Sequence, residues 1–299
     1  MDGTININKP SGTTSYQVVA CVKRLSGERR VGHAGTLDPA ASGVLPVCLG
    51  KATRTIEYLL ETSKTYLADI ELGVTTDSYD SSGQVTGHYD TENIDSSMVF
   101  QALNGFSGII WQTPPMFSAL KHRGTPLYRL ARAGVKIDIP RRLVRIYRIE
   151  LKGFKSPLVT VEVECSRGTY IRSLVHDLGE ALGCGGTLKS LVRLSYGPFG
   201  IGDAINLPML EEAFRNGLAD KYIHPIDFVL SSIPAITVDV ELASLLKHGH
   251  HLDFEAAKGS PPTEPRLLVY SESKHFLGVW RLDSDSKLYK AEKVLFEAA

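Results

Sequence analysis

Cysteine is scarce in this chain, and its spacing argues against several kinds of site. The four cysteines are Cys21, Cys48, Cys165 and Cys184. They form no CxxC pair and no Cys/His cluster with the spacing of a zinc site. Each cysteine stands beside apolar neighbours, which predicts buried, reduced thiols. A disulfide framework and a structural zinc site are therefore not expected.

Long apolar runs are missing as well. No stretch approaches the roughly 18 apolar residues that would span a bilayer. The polar start of the chain, with Asp2, Asn6 and Asn8, lacks the basic and apolar regions of a secretory signal. We therefore expect a cytoplasmic protein without membrane association. Hydrophobic residues make up 43% of the 299 positions, which fits one large globular domain with a small second one.

Net charge is also absent, since 33 basic residues balance 33 acidic ones, but the charges are unevenly distributed. Between Lys64 and Lys121 there is no Lys or Arg, and acids accumulate there. The following segment carries nine basic residues against Asp138 alone: Lys121, Arg123, Arg129, Arg132, Lys136, Arg141, Arg142, Arg145 and Arg148. A charge run is ordinarily a solvated face, but an excess of this size favours a polyanionic partner.

Hydrophobic periodicity predicts a strand-rich mixed α/β protein. The predicted strands are 3–8, 44–49, 65–72, 143–151 and 159–165, which alternate or are rich in β-branched residues. One helix is predicted to begin at an N-cap Ser15 and to end before Gly27, and a second runs from Ile171 to Leu182 before Gly183. Because the pattern loosens around Pro225 and Pro234, a domain boundary is predicted near residue 232.

The segment 31–46 is the most informative part of the sequence. Glycines at 32, 35 and 43 indicate a loop in special backbone conformations that displays His33 and Asp38. For an isolated Asp-Pro pair, the ordinary interpretation is an Asp that only opens a turn before Pro39. A second observation is needed to decide between that turn and a functional carboxylate.

A resemblance to a known family supplies that observation. The run Gly32-His33-Ala34-Gly35-Thr36-Leu37-Asp38-Pro39, continued by Ser42-Gly43-Val44-Leu45-Pro46, resembles the catalytic motif of the bacterial tRNA pseudouridine-55 synthase family almost residue for residue. Other runs that resemble the family are 8–12, 64–66, 72–73, 76–77, 118–121, 166–174 and 191–194. Together these runs cover about residues 1 to 230 in the family's order.

The resemblance implies roles for five residues. Asp38 is expected to be the catalytic carboxylate, with Arg172 as the opposite charge that keeps it ionised. Tyr66 is expected to stack on the target base and to take part in proton transfer. Tyr170 and Leu191 match positions that line the uridine pocket. Taken singly, such an Arg is usually a solvated helix residue, and the Tyr and Leu residues usually pack in the core.

The resemblance also implies contacts with RNA. His33 is expected to occupy or brace the position that a flipped uridine leaves, although a loop His between glycines also suits a hydrogen bond to backbone. Lys9 is expected to contact the substrate. The basic segment, about residues 118–148, resembles a thumb-like insertion that closes on the T-arm. Its predicted phosphate ligands are Lys121, Arg123, Arg129, Arg132, Arg141 and Arg142.

The implied architecture is an α+β pseudouridine synthase fold with a curved, largely antiparallel central sheet. It spans residues 1–232 and is followed over 233–299 by a small PUA-like, RNA-binding β-barrel. His248, His250 and His251 lie close together in this second part, but no acidic or Cys partner is suitably spaced, so a metal site is not expected.

The implied reaction is the isomerisation of uridine-55 in the TΨC loop of tRNA. It breaks the N1–C1′ bond and joins C5 to C1′ with no net gain or loss of atoms, so it demands no cofactor. The expected partner is the T-arm stem-loop, with no obligatory protein partner and a monomeric enzyme. Two alternatives remain: a guide-RNA-dependent pseudouridine synthase, which lacks an equivalent basic thumb, and a non-catalytic RNA-folding factor on the same fold.

Overall fold

A computed structural model of the chain describes residues 1–135, 137–252 and 264–296. The strands are β1 (Gly3–Lys9), β2 (Val31–His33), β3 (Ser42–Leu49), β4 (Lys64–Leu72), β5 (Val74–Thr76), β6 (Val85–His88), β7 (Gly108–Gln112), β8 (Lys121–His122), β9 (Thr125–Pro126), β10 (Arg142–Lys155), β11 (Leu158–Cys165), β12 (Gly186–Tyr196), β13 (Phe199–Gly200), β14 (Ile223–His224), β15 (Ala235–Val238), β16 (Arg266–Ser271), β17 (Phe276–Leu282) and β18 (Tyr289–Val294). The helices are α1 (Ser15–Ser26), α2 (Ile56–Glu61), α3 (Ser96–Asn104), α4 (Leu127–Arg132), α5 (Ile171–Ala181), α6 (Leu207–Arg215) and α7 (Val240–Lys247).

A large, mostly antiparallel sheet organises the main part of the molecule. Its strand order is β14-β1-β3-β12-β4-β11-β10-β7, with β2 added beside β3 and β13 beside β12. The exception is the contact of β12 with β3, which is parallel and pairs Val192 with Ser42 and Arg193 with Gly43. The mixed α/β class and the largely antiparallel sheet predicted from the sequence are confirmed.

Alternation along the central strands creates a core on one face of this sheet. On β4, Ala68, Ile70 and Leu72 are buried, because successive side chains of a strand point to opposite faces. They pack with α3 and α5 in one hydrophobic cluster, to which α5 contributes Leu174 and Leu178. Each buried aliphatic side chain of this size contributes about 1.5–3 kcal/mol. The packing fixes α5, and with it Arg172, against the sheet.

The first helix begins one residue earlier than its predicted cap implies. The N-cap is Thr14, whose hydroxyl accepts a hydrogen bond from the Gln17 amide, while the Gln17 side chain accepts one from the Thr14 amide. Ser15, predicted as the cap, is the first helical residue. Its hydroxyl binds Leu37 instead, donating to the carbonyl at 3.1 Å and accepting from the amide at 3.0 Å. The helix ends at Gly27, which adopts φ 66°.

The part after residue 232 consists of a second sheet and one helix. The sheet order is β15-β16-β17-β18, and α7 packs on it. Residues 253–263 and 297–299, which belong to the predicted second domain, lie outside the described residues. The four strands agree with a β-rich tail, whereas closure into a PUA-like barrel stays a prediction. No helix within the described ranges is long and apolar enough to cross a membrane.

Candidate active site

The loop between β2 and β3 is held by the last residue of β1 and by the residues that follow this strand. Lys9 Nζ donates to the carbonyl of Pro39 at 3.3 Å, and the Gly12 amide donates to the same carbonyl at 2.8 Å. Ser11 Oγ donates to the carbonyl of Ala40 at 2.8 Å. Together with the two bonds from Ser15 to Leu37, these contacts fix the backbone on both sides of Asp38. The loop backbone therefore holds the Asp38 carboxylate in a fixed position.

Asp38 and Arg172 meet across the site. Arg172 Nε lies 3.0 Å from Asp38 Oδ2, so the structure brings these two predicted residues together. The Arg172 side chain is 6% exposed, whereas that of Asp38 is 41% exposed. The carboxylate thus keeps access to the cleft while its cationic partner is buried behind it.

A second acid, Asp80, completes this arrangement and was not predicted. Arg172 Nη1 lies 3.3 Å from Asp80 Oδ2, so one guanidinium bridges two carboxylates. The other oxygen of Asp80 accepts hydrogen bonds from Ser78 Oγ at 2.7 Å and from the Ser82 amide at 3.0 Å. The only available signal was an acid in the turn-rich run 77–83, which is a common surface pattern.

The environment of Asp38 acts on its protonation in both directions. Burial raises the pKa of the Asp38 carboxyl above its ordinary value, and the charge of Asp80 adds to this rise. Arg172 opposes it most strongly, followed by Lys9. The pKa of Asp38 is raised overall, so Arg172 limits the rise rather than abolishing it.

Tyr66 lies on β4, opposite Arg193 of β12 and Val163 of β11. Burial raises the pKa of its phenol, and the positive charge of Arg193 counteracts this increase. Asp38 is close enough to add to the rise in pKa. Tyr66 and Asp38 therefore belong to one electrostatic environment, as the proposed roles require.

Tyr170 and Leu191, the two predicted pocket residues, come from different parts of the fold. Leu191 lines a small cavity together with Asp38, Asp80 and Arg172. Tyr170 precedes α5, where its backbone is clamped by the buried side chain of Gln112: Nε2 donates to the Tyr170 carbonyl at 3.0 Å and Oε1 accepts from the Tyr170 amide at 2.8 Å. Gln112 also escaped prediction, because a strand glutamine gives no distinctive signal.

Two predicted RNA-contacting residues are partly or wholly enclosed. The ammonium of Lys9 is buried and donates to the carbonyls of Pro10, Thr13 and Pro39, so its three hydrogens are all used. Burial lowers its pKa to about 8. This geometry favours a clamp on the Asp38 loop over contact with RNA. His33 ends β2 and is half-buried, and burial together with Arg193 lowers its pKa, which favours the neutral imidazole.

The basic insertion leaves the sheet after β7 and returns at β10. Residues 113–141 contain β8, β9 and α4, while 142–148 belong to β10. Its predicted phosphate ligands with exposed side chains are Lys121, Arg123, Arg129, Arg132 and Arg141. Arg142 is half-buried, donates to the Gly168 carbonyl and lies over the Tyr170 ring at 4.8 Å. Arg148 is neutralised by Glu150 and Glu162 at 2.8 and 2.6 Å; Lys136 lies outside the described residues.

A roomier cavity of about 420 Å³ lies elsewhere, where the second sheet meets the main part, lined by Tyr58, Glu61, Pro234 and Arg266 among others. The cluster of interacting acids, arginines and tyrosines is at Asp38, so chemistry rather than volume identifies the site. Within the described residues no group of three or more His, Cys, Asp or Glu side chains is placed to hold a metal ion.

Comparison with known proteins agrees with this geometry. A model described as "TruB family pseudouridylate synthase (N terminal domain)" matches residues 23–171, and one described as "tRNA pseudouridylate synthase B C-terminal domain" matches 172–231. The tRNA pseudouridine synthase B of Dehalococcoides mccartyi is 46% identical over 99% of this chain and 97% of its own length. That of Clostridium perfringens is 43% identical over 99% of this chain and 100% of its own length.

Solved structures give a consistent result. A structure titled as an H/ACA RNP bound to a substrate RNA containing 2′-deoxyuridine matches with a TM-score of 0.73 and 26% identity, over 99% of this chain and 85% of that chain. A Cbf5-Nop10-Gar1 complex matches with a TM-score of 0.72 and 27% identity, over 99% of this chain and 84% of that chain. On the full-length identity to curated relatives and the two matching domain models, the chain belongs to the TruB family of pseudouridylate synthases.

Proposed function

We propose that this chain is a tRNA pseudouridine synthase that isomerises uridine-55 of the TΨC loop. One observation carries the proposal: the cleft-exposed carboxylate of Asp38 lies 3.0 Å from the buried guanidinium of Arg172, in a chain whose relatives at 43–46% identity are named tRNA pseudouridine synthase B. Sequence and site geometry thus support the same activity.

Asp38 and Asp80 differ in solvent exposure, which indicates different roles for the two carboxylates. Asp38 reaches the cleft, whereas the side chain of Asp80 is 14% exposed and already accepts several hydrogen bonds. Asp38 is therefore the carboxylate that meets the substrate, and Asp80 orients Arg172. An ionised Asp38 assists cleavage of the N1–C1′ bond; the freed uracil turns, C5 bonds to C1′, the C5 proton leaves, and N1 takes up a proton in its place. The bonding electrons stay within the nucleoside, and no oxidant is consumed.

The uridine must leave its stack to reach Asp38, at a cost of about a few kcal/mol. The exposed cations of the 113–141 insertion offset this cost by binding the phosphates of the T-arm. Tyr66 stacks on the extruded base, and Tyr170 and Leu191 enclose it. His33, held neutral, supplies a flat face at the position the base has left. These roles are part of the proposal; they are supported by the position of Leu191 in the cavity at Asp38 and by the effect of Asp38 on the pKa of Tyr66.

Two alternatives, a guide-RNA-dependent enzyme and a non-catalytic RNA-folding factor, are disfavoured by different observations. A guide-RNA-dependent enzyme is disfavoured because identity to the tRNA enzymes reaches 46%, against 26–27% for the ribonucleoprotein structures. The exposed basic insertion also favours direct binding of tRNA. A non-catalytic RNA-folding factor has no need for the Asp38–Arg172–Asp80 arrangement, whose maintenance costs desolvation of three charges.

We further propose that the enzyme works as a cytoplasmic monomer with no obligatory protein partner. We also propose that residues 1–232 form its catalytic domain and 233–299 an RNA-binding domain. The end of the second matching family model at residue 231 and the start of β15 at Ala235 support that division. Size-exclusion chromatography with light scattering, with and without T-arm RNA, tests the monomer.

Mapping pseudouridine in a T-arm stem-loop RNA tests the function. Wild-type protein is expected to convert the target uridine without any added protein or guide RNA. Asp38→Asn is expected to bind the RNA but to leave it unmodified, because the amide carries no negative charge. Asp220→Asn, a change at an exposed acid that does not line the cavity at Asp38, is the matched control and should retain full activity. Modification by the Asp38→Asn protein would refute the assignment.

A further inference from the structure

A fully buried arginine lies beneath the catalytic loop. Arg193 on β12 is 1% exposed, and none of the ion pairs among the described residues involves it. Its guanidinium bonds backbone carbonyls instead: Nε donates to Val44 at 2.7 Å and Nη2 to Gly35 at 3.3 Å. These two carbonyls stand at opposite ends of the loop that carries Asp38. One side chain therefore ties both ends of the loop to β12.

The same guanidinium also lies over two tyrosine rings. Its central carbon is 4.9 Å from the Tyr196 ring centroid and 6.0 Å from that of Tyr66. Tyr196 in turn supports the loop, because a Cβ atom on Gly35 would lie only 3.0 Å from its hydroxyl. Lys64 Nζ, 4.4 Å from the Tyr196 centroid, adds a second buried cation. Arg193 thus contacts the loop that carries Asp38 on one side and the Tyr66 ring on the other.

Burying the charged guanidinium of Arg193 without a carboxylate partner costs desolvation free energy, so its presence calls for a functional explanation. Cation–π contacts and carbonyl acceptors recover part of that cost. The uncompensated charge acts on its neighbours: it opposes the rise in the pKa of Tyr66 that burial causes, and after burial it is the next cause that lowers the pKa of Lys64 to about 8. Arg193 is therefore a fixed source of positive potential behind the uracil pocket.

The usual role of an arginine in an RNA-modifying enzyme is to bind phosphate. Burial argues against that role here, since a phosphate cannot reach a guanidinium that is 1% exposed, whereas Arg129 and Arg132 of the insertion are exposed. Packing alone is also a poor explanation, because an aliphatic side chain would fill the space without the cost of burying a charge.

We propose that Arg193 is a positioning residue of the reaction, which fixes the Asp38 loop and the Tyr66 ring relative to each other and does not contact RNA. By bonding both ends of the loop and lying over Tyr66, it sets the separation between the carboxylate and the phenol on the two sides of the bound uracil. The inference rests on the proposed function. It adds a residue that determines the rate of the chemical step without contributing to RNA affinity.

Two substitutions and a control test the proposal. Arg193→Lys keeps the charge but loses the fork that reaches two carbonyls, and Arg193→Met removes the charge at similar length. Arg215→Met, at the exposed end of α6, is the matched control for loss of an arginine. The measurements are the single-turnover rate at saturating T-arm RNA, the dissociation constant for that RNA, and the thermal unfolding of each protein.

We expect the rate to fall about tenfold in Arg193→Lys and about a hundredfold in Arg193→Met, in line with the loss of a positioning contact. The dissociation constant should stay within about twofold of wild type, as for a side chain outside the interface. A higher rate in Arg193→Lys than in Arg193→Met would show that the positive charge contributes to the rate as well as the shape of the guanidinium. If Arg193→Met does not fold, Arg193→Lys decides the question. Failure of the proposed function is distinguishable, since the wild-type protein would then leave the RNA unmodified.

Three results would overturn the proposal. A weaker RNA affinity with a wild-type rate at saturation would make Arg193 a binding residue. A wild-type rate in both variants would leave it with a packing role only. A rate loss that matches the fraction of unfolded protein at the assay temperature would reduce the effect to stability.

Discussion

At the residue scale, the site depends on one guanidinium shared by two acids that differ in exposure. Arg172 contacts Asp38, Asp80 and the carbonyls of Ser78 and Phe117, so these four contacts together set its orientation. Hydrogen bonds to charged groups contribute about 1.5–3 kcal/mol each when buried. Loss of any one contact should therefore rotate or loosen the cation that faces Asp38, with a direct effect on the reaction.

Asp80→Asn is expected to lower the single-turnover rate by about ten- to a hundredfold, because a neutral amide holds Arg172 less firmly. RNA affinity should hardly change, since the Asp80 side chain is only 14% exposed and its carboxylate is already bonded to Arg172 and to the turn around it. Ser82→Ala keeps the amide donor but removes the Ser82 hydroxyl, which also donates to Asp80 Oδ1, and should lower the rate only a few-fold. Single-turnover kinetics on a T-arm RNA measure both. Equal rates for wild type and Asp80→Asn would show that Arg172 needs no second acid.

The pH dependence of the rate is expected to report on Asp38. Its pKa is raised chiefly by burial and further by Asp80, and the ionised form is the active one. The rate should therefore fall as the pH falls through a midpoint above the ordinary Asp value of about 3.9. In Asp80→Asn the midpoint should move to lower pH, because a like charge has been removed. A midpoint that moves upward in this variant would contradict the assignment.

Motif resemblance allowed Asp38, Tyr66 and Arg172 to be predicted from the sequence, but not the residues that support them. Asp80 stands in a polar turn, and Arg193 belongs to a residue type that is rarely fully buried, so neither differs from a surface residue in sequence. Their roles arise only when β12 pairs in parallel with β3 and α5 packs against the turn before β6. Pairing between distant strands is not encoded in local periodicity.

At the scale of elements, the start of α5 connects the basic insertion to the catalytic ion pair. Ser173 Oγ donates to the Thr113 carbonyl at 2.7 Å, and Arg172 Nη2 donates to the Phe117 carbonyl at 2.9 Å. Gln112, the last residue before the insertion, clamps Tyr170. The first turn of α5 therefore contacts the start of the insertion and also carries the cation beside Asp38. The proposed RNA-binding segment and the catalytic ion pair are held by the same helical turn.

The double substitution Arg129→Gln/Arg132→Gln in α4 is expected to weaken RNA binding without slowing the reaction at saturating RNA. Each lost phosphate contact should lower the slope of log K against log salt by about 0.7–1. Lys155→Gln, an exposed residue at the far end of β10, is the control. Fluorescence titrations at several salt concentrations measure the slope. An unchanged slope would remove α4 from the RNA interface.

At the scale of the whole molecule, the second sheet shares a hydrophobic cluster with the main part. Leu268, Val279 and Leu295 pack in the same cluster as Phe199 and Leu230. Polar contacts surround it: Lys293 pairs with Glu57 at 2.6 Å, and Arg54 donates to the Val294 carbonyl at 2.7 Å. The sequence predicted a boundary but could not predict this docking, since the apolar residues on each side look like ordinary core positions.

Tyr270→Phe tests how firmly the second sheet is attached. The Tyr270 hydroxyl donates to Asp227 Oδ2 at 2.6 Å, which joins β16 to the segment after β14. Because the acceptor is charged and half-buried, its loss should lower the free energy of unfolding by about 1–3 kcal/mol. Tyr222→Phe, whose hydroxyl makes no hydrogen bond to the described residues, is the control. Thermal and urea unfolding measure both, and an equal small effect in the two variants would show that the Tyr270–Asp227 hydrogen bond does not help to hold the second sheet in place.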